Sequence, residues 1–324
     1  MIPRPWIDPV DNLPLTEKEN TLISSNSDRT YPVVNSIARF VHENNYASSF
    51  GKQWIMFSKT QLDSHTGLKI SEERLSRCFN GTLDSLKGKT VLEAGSGAGR
   101  FTELLLKKGA KLDSFDYSIA VNANYANNGE HPNLRLAQAD VRQMPFPPHH
   151  YDFVVCLGVV QHTPSPEQTI EALWSRVKPG GTLIFDHYRK KLRNYLPPPI
   201  GVGGMLYRHY FLSLPKDQQF AAVKRVFDFW FPIIWHCRKN KIFQFFIARF
   251  NPIVNYYPHF GLKNKEMYYE WMLLDTHDAT TDTFKHRRTA HEIESFLRKI
   301  GATNIKVTNG GNGVEAFCQK PAQC

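Results

Sequence analysis

Residues 91–100 read VLEAGSGAGR. An apolar run breaks into Gly95, Gly97 and Gly99, and the text that follows, RFTELLLKKG, places apolar side chains at three-to-four spacing. Strand, glycine turn and helix in that order make a nucleotide cradle. Glycines let the backbone approach a ligand, and the helix start offers free N–H groups. The spacing limits which nucleotide. The pyrophosphate fingerprint G-x-G-x-x-G wants a third glycine where Arg100 stands. A P-loop is excluded because no Gly-Lys-Ser/Thr follows.

Working outward, TVLEA (90–94), KLDSFD (111–116), NLRLAQ (133–138), DFVVCLG (152–158) and TLIFDHY (182–188) read as strands. Helical patterns separate them: RFTELLLKKG, SIAVNANYANN and PEQTIEALWSRV. This alternation predicts a doubly wound α/β fold with a mostly parallel sheet and helices on both faces. The rhythm stops at about Lys190 and returns with AHEIESFLRKIG, then TNIKVTN and VEAFCQK around a GGNG turn. The last two strands bring the count to seven, and their glycine turn predicts a hairpin, hence one antiparallel strand.

Acids at the strand ends choose among nucleotides. Glu93 before the turn would repel a pyrophosphate but accept from an ammonium group. Asp116 at the end of the second strand can accept from ribose hydroxyls, and Asp140 after the third from an adenine amino group. That set suits S-adenosyl-L-methionine. Residues 90–188, with LEAGSGAGRF, FDYS and QADVRQMPFPPHHYDFVVCLGVVQHTPSPEQTIEALWSRVKPGGTLIFD, closely resemble class I S-adenosylmethionine-dependent methyltransferases of the small-molecule type, such as those of quinone biosynthesis. The resemblance implies the Rossmann-like methyltransferase fold. It also implies a cofactor site of Glu93, Gly95, Ser96, Gly97, Gly99, Asp116, Tyr117, Asp140, Val141 and Leu157, with Tyr117 and Val141 flanking the adenine.

Other segments resemble relatives less specifically. SSFGKQWIMFSKTQLDSHTG and EWMLLDTHDATTDTFKHRRT are similar to parts of polysaccharide and natural-product methyltransferases. The N-terminus, with DPVDNLPL and a YPVV strand, resembles a small zinc-ribbon module. Asp8-Pro9-Val10-Asp11 stands where that module has cysteines, so no metal is expected. Five expected divisions follow: a ribbon-like segment (1–45), a helical lead-in near the cofactor (46–88), the cofactor-binding core (89–189), a helical insertion (190–275) and the last core helix and strands (276–324).

In a doubly wound sheet, ligands gather at the carboxyl ends of the strands. LGVVQHT and FDHY therefore face the methyl group. His162 and His187 are candidate bases, and Gln161, Asp186 and Tyr188 candidate substrate contacts. Downstream, LLDTHDATTDTFKHRR reads as a substrate-gripping loop, with Asp275, His277 and Arg287 as its candidates. A metal cluster there fits no local ligand spacing.

The chain carries a net charge of +10. Fourteen Lys and Arg against two acids between His187 and Lys265 give that segment +12, so the remainder sums to −2. The basic insertion reads as a lid gripping an anionic acceptor, as an interfacial helix on an acidic membrane, or as an RNA surface. Five scattered cysteines form no CxxC pair, which predicts neither a disulfide framework nor a zinc site and suits the cytoplasm. No secretion signal or spanning helix is expected.

The function expected is methyl transfer to an oxygen, less readily a nitrogen, of a small molecule or sugar-type acceptor. The alternatives are an RNA methyltransferase and a non-catalytic S-adenosylmethionine-binding regulator. Against RNA, LGVVQH stands where an Asn/Asp-Pro-Pro-Tyr/Phe clamp for planar amino groups would be. Intact glycines and acids argue against a regulator.

Overall fold

The structure, a computed structural model, describes residues 4–42, 48–196 and 203–322. Its strands are β1 (Leu15–Lys18), β2 (Thr21–Ser24), β3 (Thr30–Val34), β4 (Ile37–Arg39), β5 (Thr90–Ala94), β6 (Lys111–Asp116), β7 (Leu134–Gln138), β8 (Tyr151–Cys156), β9 (Val177–His187), β10 (Thr303–Asn309) and β11 (Val314–Gln319). Helices are α1 (Ser48–Met56), α2 (Asp63–Thr66), α3 (Ile70–Cys78), α4 (Arg100–Lys107), α5 (Val121–Asn128), α6 (Pro166–Arg176), α7 (Gly204–Ser213), α8 (Lys216–His236), α9 (Lys241–Ile247), α10 (Lys265–Thr281) and α11 (Ala290–Lys299). They form two units, one from the described residues of 1–58, 71–189 and 286–324, the other from 59–70 and 190–285.

The first unit holds one sheet in the order β1-β2-β3-β4-β7-β6-β5-β8-β9-β11-β10. The strands from β4 to β9 in that order run parallel, and β11 runs antiparallel to both β9 and β10. All seven strands expected from the sequence are present, but among the described residues the sheet has eleven. The N-terminal segment is no separate module: β1 to β4 form an antiparallel meander whose last strand pairs with β7. The chain leaves β5 toward β6 and β7, then returns to place β8 on the other side. That reversal opens a crevice at the carboxyl ends of β5 and β8.

Alternate residues of the central strands supply two cores. Leu92, Val154, Cys156, Leu183 and Phe185 pack with Ile170 and Leu173 of α6 and Leu297 of α11. Val91, Phe153, Val155 and Ile184 pack on the opposite face with Leu75 of α3 and Leu104 and Leu105 of α4. Burial on both faces explains why these strands read as continuous apolar runs.

Charged pairs fasten the N-terminal residues. Buried Asp113 on β6 accepts from Arg4 at 3.0 Å, from Arg135 at 2.9 Å and from the Tyr151 hydroxyl at 2.6 Å. In the Asp8–Asp11 turn, the Arg29 guanidinium reaches Asp8 Oδ2 at 2.9 Å and Asp11 Oδ2 at 2.5 Å. The Tyr31 hydroxyl and the Val10 N–H also donate to Asp8. Burial pushes the Asp8 carboxyl up, but these donors outweigh it and hold it below its usual range.

The second unit is helical. α7 and α8 pack on α10, where Asn264 caps the first turn by accepting from the Met267 N–H at 2.9 Å. The expected boundary at 275 falls inside α10, and residues 59–70 of the expected lead-in belong to this unit. The text LLDTHDATT is helix, not loop, because α10 is enclosed: Trp271, Met272, Leu273, Leu274, Thr276, His277, Thr280 and Thr281 are all buried. Among the described residues no helix is long and apolar enough to cross a membrane.

Candidate active site

The glycine turn is fixed from both sides. The N–H groups of Gly95 and Ser96 donate to the Phe115 carbonyl of β6 at 2.8 and 3.0 Å. All three glycines have positive φ. A Cβ on Gly95 would stand 2.1 Å from Val159 Cγ2, and one on Gly99 would stand 2.3 Å from Asn124 Oδ1. Gly97 is roomier, with the Trp54 ring of α1 as nearest neighbour at 3.5 Å, and its N–H donates to Asp116 Oδ2 at 2.8 Å.

Glu93 is buried, and its Oε2 accepts from Thr102 Oγ1 at 2.5 Å and Ser114 Oγ at 2.8 Å. Its Oε1 has no partner, and burial lifts the carboxyl to about 7. The Ser96 hydroxyl is likewise buried and unpartnered. A buried polar atom left unpaired costs free energy that a ligand donor removes. The donor set therefore fits a group with a primary ammonium beside the turn. Asp116 Oδ1 accepts from the Ser118 N–H and hydroxyl at 2.8 and 2.7 Å, and burial raises its pKa. Asp140 is held by Arg142 at 2.7 Å. Val141 and Leu157 are buried, while Tyr117 is partly exposed.

Beyond the turn, the loop after β8 runs from Val159, against Gly95, to the end of β9. The Gly158 N–H donates to Asp186 Oδ1 at 2.6 Å, while Asp186 Oδ2 takes the Arg74 guanidinium and the Asn312 amide. Asp186, expected to touch substrate, is thus engaged as an internal clasp. Gln161 is fully buried with neither amide atom partnered. The His162 ring meets the Tyr188 ring edge-on at 5.2 Å. His187 Nδ1 lies 3.1 Å from the Tyr188 carbonyl, which can only accept, so Nδ1 carries the proton. Its Nε2 lone pair is buried and unpartnered, and burial lowers the imidazole to about 4, so it is neutral near pH 7.

Arg287 sits between His286, whose N–H donates to the Gln161 carbonyl at 3.0 Å, and Arg288, which pairs with Glu167 at 2.7 Å. Asp275 and His277 belong to the helical unit. Asp275 accepts from Gln61 at 2.9 Å and Trp271 at 3.1 Å, and His277 is buried against Phe220 and lowered to about 4 by burial. Sequence reasoning missed Trp54, Thr102, Ser114, Arg74 and Asn312. Thr102 and Ser114 were findable as the polar residues interrupting the apolar faces of α4 and β6.

Buried strand-end acids, an open glycine turn and a crevice at the strand reversal together make a site whose donors and acceptors fit S-adenosyl-L-methionine. Residues 92–185 match the methyltransferase domain family. The ubiquinone biosynthesis O-methyltransferase of Coxiella burnetii is 30% identical over 135 residues, covering 41% of this chain and 55% of the relative. That of Nitrosospira multiformis is 32% identical over 120 residues, covering 36% and 50%. The chain spans about half the length of the curated relatives it matches. Among solved structures, a putative S-adenosyl-L-methionine-dependent methyltransferase from Methanococcus maripaludis aligns over 88% of this chain and 98% of its own, at 16% identity and a TM-score of 0.46.

Proposed function

We propose that the protein methylates an oxygen of a small-molecule acceptor. The observation carrying this reading is a pair of buried, unpartnered polar groups, the Gln161 amide in the turn after β8 and His187 Nε2 at the end of β9, with Val159 of the same β8 loop packed on the glycine turn. When bound, S-adenosyl-L-methionine supplies an electrophilic methyl group. Glu93 and Ser96 would hold its amino-acid end and Asp116 its ribose, with Tyr117, Asp140, Val141 and Leu157 about the adenine.

The chain's own part is to orient the acceptor and take its proton. The Gln161 amide offers both a donor and an acceptor, which suits a hydroxyl beside a second polar group. His187 Nε2 accepts the hydroxyl hydrogen. An imidazole near 4 is a weak base, but the hydroxyl grows far more acidic as its oxygen gains a carbon, so a weak acceptor is sufficient late in the step. His162, edge-on to Tyr188, would stand beside the acceptor. The curated relatives' O-methyltransferase names support oxygen over nitrogen. The acceptor's further character, sugar-like or anionic, belongs to the same proposal through Arg287.

Incubation with methyl-labelled S-adenosyl-L-methionine and a panel of metabolite extracts, read by mass spectrometry, tests this. An O-methylated small molecule supports the reading. Label appearing only in RNA, or cofactor binding with no transfer to any extract, would overturn it.

A further inference from the structure

The second unit presents an apolar stripe on the wrong side of a helix. In α9, Ile242, Phe245 and Phe246, followed by Phe250, recur at the spacing of one helical face. In a soluble helix such a face turns toward the core. Here the four side chains are 73%, 59%, 58% and 52% exposed, and no residue of α9 is buried. The polar side is the one held: Gln244 donates to the Ile234 carbonyl of α8 at 3.1 Å and accepts from Asn255 at 3.0 Å. The capping side chain of Asn240 accepts from the Phe243 N–H at 3.0 Å. The fold thus commits hydrogen bonds to keeping the stripe outward. On α8, Phe229 and Ile233 are exposed as well.

The charge around the stripe has one sign. From Phe229 to Lys265 there are six Lys and Arg and no Asp or Glu. Arg238, Lys239, Lys241 and Arg249 bracket α9, and the Arg249 guanidinium lies over the Phe245 ring at 3.7 Å. Exposed aromatics among unopposed cations on a short helix describe an element that lies in the headgroup region of an anionic bilayer with its apolar face inserted. Among the described residues no helix can span the bilayer, so contact would be with its surface.

We propose that α9 and the residue turn after it dock this protein on anionic phospholipid membranes. Rings enter the interface and the flanking cations meet lipid phosphates. The occupant is a lipid surface rather than a second copy of the chain, because a self-complementary contact through this face would set its cations against each other. The proposal is independent of which acceptor is methylated.

Flotation of the full chain with vesicles of phosphatidylglycerol in phosphatidylcholine, against vesicles of phosphatidylcholine alone, tests it. Binding to the anionic vesicles, weakened by added salt, is expected. The double variant Phe245→Ser with Phe246→Ser should reduce it about tenfold or more while circular dichroism and cofactor binding stay unchanged. A second variant, Arg238→Gln with Lys239→Gln and Lys241→Gln, should lose the preference for anionic lipid. Equal flotation with both vesicle types, no flotation at low salt, or a dimer in light scattering that the serine variant dissolves would each overturn the proposal.

Discussion

The Gly158 N–H donates to Asp186 Oδ1 at 2.6 Å, and this bond pins the loop after β8 to the end of β9. Asp186 is fully buried, and its second oxygen takes the guanidinium of Arg74 from α3 and the Asn312 amide from the turn before β11. One carboxylate therefore gathers three segments around the crevice. Asp186→Ala should cost about 3 kcal/mol or more, because it removes the buried acceptor shared by the Gly158 N–H, Arg74 and Asn312. Denaturant unfolding of the variant beside wild type measures this, and a cost under about 1 kcal/mol would show that the clasp is not structural.

Glu93 predicts a pH dependence of cofactor affinity. Burial raises its carboxyl from the usual 4.5 to about 7, so the cofactor-free protein holds a proton there below pH 7. An ammonium favours the carboxylate, so binding below that pH releases the proton. Affinity should rise about tenfold per unit as pH climbs toward 7 and level off above it. For the cofactor-free fold the sign is opposite: the folded state binds the proton more tightly than the unfolded chain, so stability declines between about 4.5 and 7. Calorimetric titration at several pH values should show the slope, and Glu93→Gln should flatten it.

Gly95 and Gly97 should respond differently to alanine. Both have positive φ, which costs about 1 kcal/mol for a non-glycine residue, but only Gly95 also faces Val159 at 2.1 Å. Gly95→Ala should displace the β8 loop and abolish both cofactor binding and turnover, whereas Gly97→Ala should weaken them less. Adding Val159→Ala to Gly95→Ala should restore part of the binding. Equal effects of the two alanines would mean that backbone strain alone governs the turn.

His187→Asn should lower kcat about a hundredfold with little change in cofactor affinity, since Nε2 would lose its place as proton acceptor. Tracking both quantities separates this role from a folding defect. A parallel loss of cofactor binding would place His187 in structure rather than in transfer.

The N-terminal meander should be sensitive to acid. Asp8 is held below its usual 3.8, so its contribution is present above that pH and is lost as pH falls through the lower folded value. Arg29→Ala removes the cation shared by Asp8 and Asp11, and should lower stability and expose the N-terminal strands to proteolysis at neutral pH. Limited digestion with N-terminal sequencing reads this directly.

Much of the central sheet was legible because each of its strands carries its own signal. β5, β8 and β9 are apolar runs bounded by glycine or acid, and the helices between them have one apolar face. β1 to β4 carried little, since each has three to five residues and β3 alternates exposed with half-buried positions. Nothing local to Ile37 indicates that it will lie beside Leu136. α10 misled because from Trp271 to Thr281 every position is buried or half-buried, which removes the one-sided periodicity that marks a surface helix. The placement of Glu93 and Asp116 at the ends of β5 and β6 was legible from their order along the chain. Arg74 and Asn312 were not, because they meet Asp186 from 112 and 126 residues away.

The Arg29 clasp changes what the N-terminal strands depend on. A bound ion must be acquired from the surroundings, and can be stripped by a chelator or displaced when its ligands oxidise. A guanidinium synthesised as part of the chain always arrives together with the two carboxylates it bridges. The turn at Asp8–Asp11 is thus closed by groups that the chain itself carries.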